Sequence, residues 1–165
     1  MNVSEILFKM VKYSDGNLHD INHFMKVYAY AKTIAECEKV TREELEIIQI
    51  AAILHDIACP LCREKYGNTN GRLQEKEGVV LAGEFLQGSG LPDEMIERIV
   101  FLVGHHHTLD EVDGIDYQIL LEADYLVNAD ELGYSKKNIQ NTMESLFKTC
   151  TGKALLQSVY GIYTQ

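Results

Sequence analysis

Along almost the whole chain, apolar residues recur three and four positions apart, the period of a helix buried along one side. No stretch alternates apolar and polar residues between hairpin turns. The pattern predicts an all-α fold with helices over about 3–13, 18–38, 42–57, 74–87, 93–106, 116–131, 136–148 and 153–162. Local punctuation agrees. Thr41 and Glu44 have capping-box spacing before the third segment, and "LPDE" sets Pro92 at the opening of the fifth. "GNTNGR" (Gly67 to Arg72) and "LDEVDG" (Leu109 to Gly114) read as loops. No internal repeat, low-complexity tract or linker interrupts the chain, and 165 residues with 46% hydrophobic content suit one domain, a compact helical bundle over 1–165.

The informative positions are polar residues on apolar faces. In "IIQIAAILHD", Leu45, Ile48, Ala52 and His55 share one stripe, while Gln49, Ile53 and Asp56 share the next. His55 and Asp56 therefore end a buried helix, where a carboxylate is costly unless it is paired or holds a cation. The other His-Asp pair, His19 and Asp20, needs no such partner, because Asp20 lies in the first turn of a helix, where the dipole favours negative charge. On that same segment His23 shares a stripe with Val27, Tyr30, Ala31 and Ile34. Further on, Asp124 shares one with Tyr117, Leu120, Leu121 and Val127. A single inward His or Asp is commonly a satisfied core residue. Two of each on three helices form a mixed nitrogen and oxygen set suited to Mn, Fe, Co, Ni or Zn, with positions left for water.

Charge narrows the partners. A net charge of -10 and a pI near 5.0 speak against binding nucleic-acid polymers or anionic membranes, and leave a small anionic substrate that meets local positive charge. Without a run of eighteen apolar residues or the features of a signal peptide at the N-terminus, the expected location is cytoplasmic. Cys59 and Cys62 in "CPLC" have no second Cys pair to complete a structural zinc site. They read as ordinary reduced thiols, with a redox switch or adventitious metal binding as alternatives; Cys37 and Cys150 suit helix faces.

His23 in "HDINHFMKV", His55-Asp56 in "AAILHDIA" and Asp124 in "ILLEADYLVN" stand in the order and helical context of an H…HD…D signature. Over roughly residues 18 to 131 the chain resembles the HD-domain superfamily of metal-dependent phosphohydrolases, whose fold is all-helical. The resemblance implies that His23, His55, Asp56 and Asp124 ligate one divalent metal. It also implies hydrolysis of a nucleotide or similar small phosphoester through a metal-bound water, with Asp56 or Asp124 able to take a proton from that water.

Three features modify the expectation. Many members carry a Lys two residues after the His-Asp pair, whereas this chain continues Ile57-Ala58-Cys59; Arg63, Lys65 and Arg72 follow as replacement phosphate contacts or as ordinary surface cations. Two-metal members have a His four residues before a Gly in the next helix, and here Gln74 precedes Gly78 at that spacing. One tightly held metal is therefore expected. Lastly, "GHHHT" places His105 and His106 where two-metal members have paired His, as ligands, phosphate contacts or proton donors, with His107 as the exposed third. Capping of the helix C-terminus is the alternative. Glu75 and Glu77 could substitute as ligands, or belong to a solvated face. A diiron oxygenase of the same superfamily and a non-catalytic ligand-binding or sensory domain stay open.

Overall fold

The computed structural model describes residues 1–163 and holds nine helices and no strand among them. They are α1 (Val3–Tyr13), α2 (Leu18–Cys37), α3 (Arg42–Leu54), α4 (Cys59–Tyr66), α5 (Gly71–Leu86), α6 (Asp93–Val103), α7 (Ile115–Glu131), α8 (Lys136–Ser145) and α9 (Cys150–Tyr160). The expected all-α architecture is present.

The centre is α3. Its residues Ile47 to Leu54 are buried all round, so the helix must be covered on every side, and α1, α2, α6 and α7 pack against it. By length and composition the segment Arg42–Tyr66 is apolar enough to cross a membrane; in the fold it is interrupted and its first part is this core helix. Helices α2 and α7 pack on α3 and on each other, so the three that carry His23, His55 and Asp124 form one layer of contacts. The pair α5 and α6 covers another side, and α4 leans on α5. The Thr41–Glu44 capping box forms as the spacing predicts.

Two boundaries differ from expectation with consequences for the site. The apolar run past Leu54 does not extend α3 to residue 57. It tightens into a turn in which the Ile57 amide donates to the Leu54 carbonyl and the Cys59 amide to that of Asp56, after which α4 restarts with Pro60 in its first turn. Likewise α6 stops at Val103, and Gly104 to His107 form a turn instead of a last helical turn.

The C-terminal helices are tied down by one buried carboxylate. Glu122 of α7, fully buried, accepts from Gln118 Nε2, from the amides of Lys148 and Thr149, and from the Thr149 hydroxyl, which itself caps α9. Gly152 faces it so closely that a Cβ there would sit 1.9 Å from Glu122 Oε2.

Candidate metal centre

Five of the residues singled out above converge where α3 and α6 end. His23 Nε2 lies 3.1 Å from His55 Nε2, 3.2 Å from Asp124 Oδ1 and 3.4 Å from Asp56 Oδ2. His55 Nε2 is 3.5 Å from Asp124 Oδ1 and 3.6 Å from Asp56 Oδ2. The other oxygen of Asp56 faces His106 Nε2 at 3.4 Å, so this carboxylate stands between two groups of imidazoles. Donor atoms of His23, His55 and Asp56 form one compact set, and those of Asp56, His106 and His107 form a second.

The far nitrogen of each buried ring decides what the near one can do. Nδ1 of His55 bonds to the Ala52 carbonyl at 2.9 Å and Nδ1 of His106 to the Val103 carbonyl at 2.8 Å, in both cases three residues back in the last turn of a helix. Nδ1 of His23 bonds to Glu131 Oε2 at 2.7 Å, and Glu131 is held by Lys26 at 2.6 Å. A carbonyl or carboxylate only accepts, so each Nδ1 carries a proton and each ring turns its Nε2 inward, as a lone pair whenever the ring is neutral. Two such lone pairs 3.1 Å apart beside two carboxylates lack a positive charge between them. His106 Nε2 and Asp124 Oδ1 are buried with no hydrogen-bond partner among the described residues.

Protonation shows the same demand. Burial works against a charged His23 ring, but the close approach of Asp124 and the charge of Asp56 outweigh it and raise the pKa to about 9. Burial also opposes ionisation of Asp56 and Asp124. The facing histidines overcome it, holding both carboxyls well below the usual carboxylate range. The donor set fits a divalent ion with nitrogen and oxygen ligands.

The centre opens into a cavity of about 340 Å³, whose walls include Asp20, Arg63, Gln74, His107, Asn128 and Glu131. Arg63 reaches it from α4 and pairs with Asp20, whose carboxylate also accepts from the Asn17 side chain and faces His19 Nδ1. Gln74 stands buried in the wall, donating to the Thr69 carbonyl at 2.7 Å and accepting from the Cys59 thiol at 3.3 Å. Burial, together with the charges of Asp56 and Asp20, pushes that thiol upward, so Cys59 stays protonated.

Several placements differ from the sequence expectation. The histidines at the centre are His106 and His107, not His105 and His106. His105 turns away, its Nδ1 bonded to the Phe101 carbonyl at 2.7 Å and its ring stacked on Phe101 with centroids 4.1 Å apart. His107 is exposed as expected but borders the cavity. Its ring, unlike the rest of the residue, is shielded from water against Gly71 and the His106 ring, and this desolvation, with the charge of His106, pushes its pKa down to about 4. Glu75 is not aimed at the centre: its carboxylate accepts from the His107 amide at 2.9 Å and the Thr108 hydroxyl at 3.0 Å. With Tyr117, whose hydroxyl donates to the carbonyls of His105 and Thr108, it clamps the turn that presents His106. Lys65 is engaged by Glu77 on the surface, and Arg72 is exposed and outside the cavity lining, so of the three cations only Arg63 borders the site. Glu131 and Asn128 were missed, although they follow Asp124 at i+7 and i+4 on the same stripe.

A family model for the HD domain matches residues 20–132, more than half of the chain. The chain belongs to the HD-domain family. This HD domain is similar to the crystal structure of a predicted HD superfamily hydrolase from an uncultured Thermotogales bacterium, with a TM-score of 0.71 and 26% identity over 96% of this chain and 84% of that one. It shares its fold with the Lin1889 protein of Listeria innocua, with a TM-score of 0.63 and 20% identity over 95% of this chain and 88% of that one. No curated protein matches it.

Proposed function

We propose that this HD domain is a metal-dependent phosphohydrolase acting on a nucleotide or another small phosphoester. The observation that carries the reading is the set of three imidazoles, each held through Nδ1 by an acceptor, that turn their Nε2 atoms toward Asp56 and Asp124. His23, His55, Asp56 and Asp124 hold the ion. When bound, a divalent metal supplies Lewis acidity and lowers the pKa of a coordinated water to near neutrality. Among the chain's own groups, Asp56 is placed to take the proton of an attacking water. Arg63, steered by Asp20, neutralises and orients a phosphoryl group at the mouth. His106, whose pKa the neighbouring Asp56 raises against the effect of burial, gives a proton to the departing oxygen.

Asp56, His106 and His107 offer a second ion only three donors, and Gln74 supplies an already engaged amide beside them. One ion held tightly and a second held weakly is the expected stoichiometry. The missing imidazole also weighs against a diiron oxygenase. The four unpaired cysteines suit the reducing cytoplasm we assign to it.

The test is Asp56→Ala. It should remove most bound metal and all phosphate release from a phosphoester panel with added Mn²⁺, while the helical circular-dichroism spectrum survives. Wild-type metal content in that variant, or a metal-loaded wild type that hydrolyses no member of the panel, would refute the proposal.

A further inference from the structure

Away from the metal centre, along the first half of α3, the start of α1 packs against α3 and the two border a groove of about 340 Å³. That volume lies within the about 300–1,000 Å³ of sites that take a whole small molecule. On the α1 side the donors can be accounted for one by one. A helix leaves its first four amides without internal partners. The capping box of α1 satisfies two of them: the Asn2 amide donates to Glu5 Oε2 at 2.7 Å and the Glu5 amide to Asn2 Oδ1 at 3.0 Å. The amides of Val3 and Ser4 have no acceptor among the described residues, and both residues line the groove.

From α3 come Arg42, Leu45, Glu46 and Gln49, a single face by their three- and four-residue spacing. Gln49 is the informative one. It is 9% exposed on a helix whose residues from Ile47 to Leu54 are otherwise all apolar, and its amide makes no hydrogen bond among the described residues. Buried polar groups are nearly always paired, so an open amide facing a groove calls for a bound partner that can both accept and donate. Arg42 and Glu46 stand one turn apart, yet they pair neither with each other nor with any other charged group among the described residues. Arg42 also occupies the first turn of α3, where the helix dipole disfavours a cation.

These charges select the ligand. A carboxylate fits beside Arg42 and the open amides that begin α1. Glu46 opposes a ligand that is only an anion and attracts an ammonium group, and the Gln49 amide can donate to the first group while accepting from the second. Val3 and Leu45 add apolar surface. We infer that this groove is a second binding site, separate from the metal centre, for an α-amino acid with an aliphatic side chain. It depends on neither the metal nor the phosphohydrolase reading, because Gln49 precedes Asp56 by roughly two helical turns and lines a different cavity.

Titration calorimetry of the whole chain with L-leucine tests the site, against isocaproate, which lacks the amino group, and isoamylamine, which lacks the carboxylate. Leucine should bind more tightly than either analogue by about tenfold or more, the loss expected for a hydrogen bond to a charged group. Arg42→Gln and Gln49→Met should each weaken leucine binding by a similar factor, and Glu46→Gln should erase the preference for leucine over isocaproate. Should Gln49→Met fold poorly, Arg42→Gln and Glu46→Gln, at accessible positions, decide the matter. Val80→Gln, exposed on α5, should bind leucine as the wild type does, and so should Asp56→Ala, which disables the metal centre. Isocaproate binding as tightly as leucine would indicate an anion site and overturn the amino-acid assignment. No binding of leucine at millimolar concentration, or wild-type affinity in both Arg42→Gln and Glu46→Gln, overturns the groove. Loss of leucine binding in Asp56→Ala would mean that the amino acid sits on the metal, and overturns it equally. Absence of phosphoester hydrolysis bears on the metal centre alone.

Discussion

Replacing Glu131 by Gln perturbs the metal centre without touching a ligand. The carboxylate accepts from His23 Nδ1 at 2.7 Å while Lys26 holds its other oxygen at 2.6 Å. An amide of the same shape loses the charge, and a hydrogen bond to a charged group contributes about 1.5–3 kcal/mol against about 0.5–1.5 for a neutral one. It also gains a donor. If the amide presents its NH₂ to His23, Nδ1 must accept, the ring proton moves to Nε2, and the lone pair that faces Asp124 is gone. Groups that orient a metal-bound His typically affect metal affinity by about ten- to a hundredfold, or roughly 1.4–2.7 kcal/mol. Competition with a chelator of known affinity, for Mn²⁺ and Zn²⁺, reads this directly, with circular dichroism of the metal-free protein as the check on folding. The Glu131→Gln variant should bind ten- to a hundredfold more weakly with its helices intact. Wild-type affinity would refute the claim that Glu131 sets the state of His23.

Three further outcomes follow from the geometry. His106→Ala should lower kcat by about 10²–10⁴-fold, whereas His105→Ala should leave kcat nearly intact and show only a modest loss of stability; the reverse order would mean that the placement of this turn is wrong. Gly152→Ala drives a methyl into the buried Glu122 network and should cost roughly 2–4 kcal/mol, read as a fall in urea midpoint, and an unchanged midpoint would refute the close approach. His23, raised to about 9 from 6.5 in the metal-free fold, stabilises that fold fully below about pH 6.5 and loses the contribution as pH rises through 9. A metal must displace that proton, so affinity should climb about tenfold per pH unit between 6.5 and 9; titrations with a flat profile there would contradict it.

Much of the fold was legible because burial leaves a periodic trace. The stripes through His23, His55 and Asp124 are read from three- and four-residue spacing, and the three helices that bear them pack together. What escaped were breaks in that period. The run "AAILHDIACP" is apolar on both sides of the turn after Leu54, so hydrophobicity alone cannot show it; the start of α4 is marked only by Pro60. The same turn swings Arg63 toward Asp20, a meeting between residues 43 positions apart that no local pattern encodes. At "GHHHT" the likeness to two-metal members points to the first two histidines. Because α6 ends one residue before Gly104, the turn rotates the second and third toward the cavity instead. Glu131 escaped for another reason: a carboxylate on the rim of a stripe looks like a solvated surface group until its partner is known.

For His106, capping and a place at the centre are one arrangement and not rivals. The ring nitrogen that satisfies a carbonyl in the last turn of α6 frees the other nitrogen for the centre, and His55 does the same at the end of α3. Helix ends are where a protein frays first, with opening free energies far below that of global unfolding. A ligand mounted there, as His55 is, can leave the ion only by giving up its carbonyl or by the turn coming loose, so metal exchange is coupled to the opening of the α3 terminus, while the α6 terminus holds the proton donor His106 in the same way. Metal occupancy should in turn slow hydrogen exchange at the amides of Ile57, Cys59 and His105, which close those turns. The rate at which the centre gains or loses an ion is then a property of backbone dynamics, adjustable by residues such as Tyr117 and Glu75 that clamp a turn without reaching the metal.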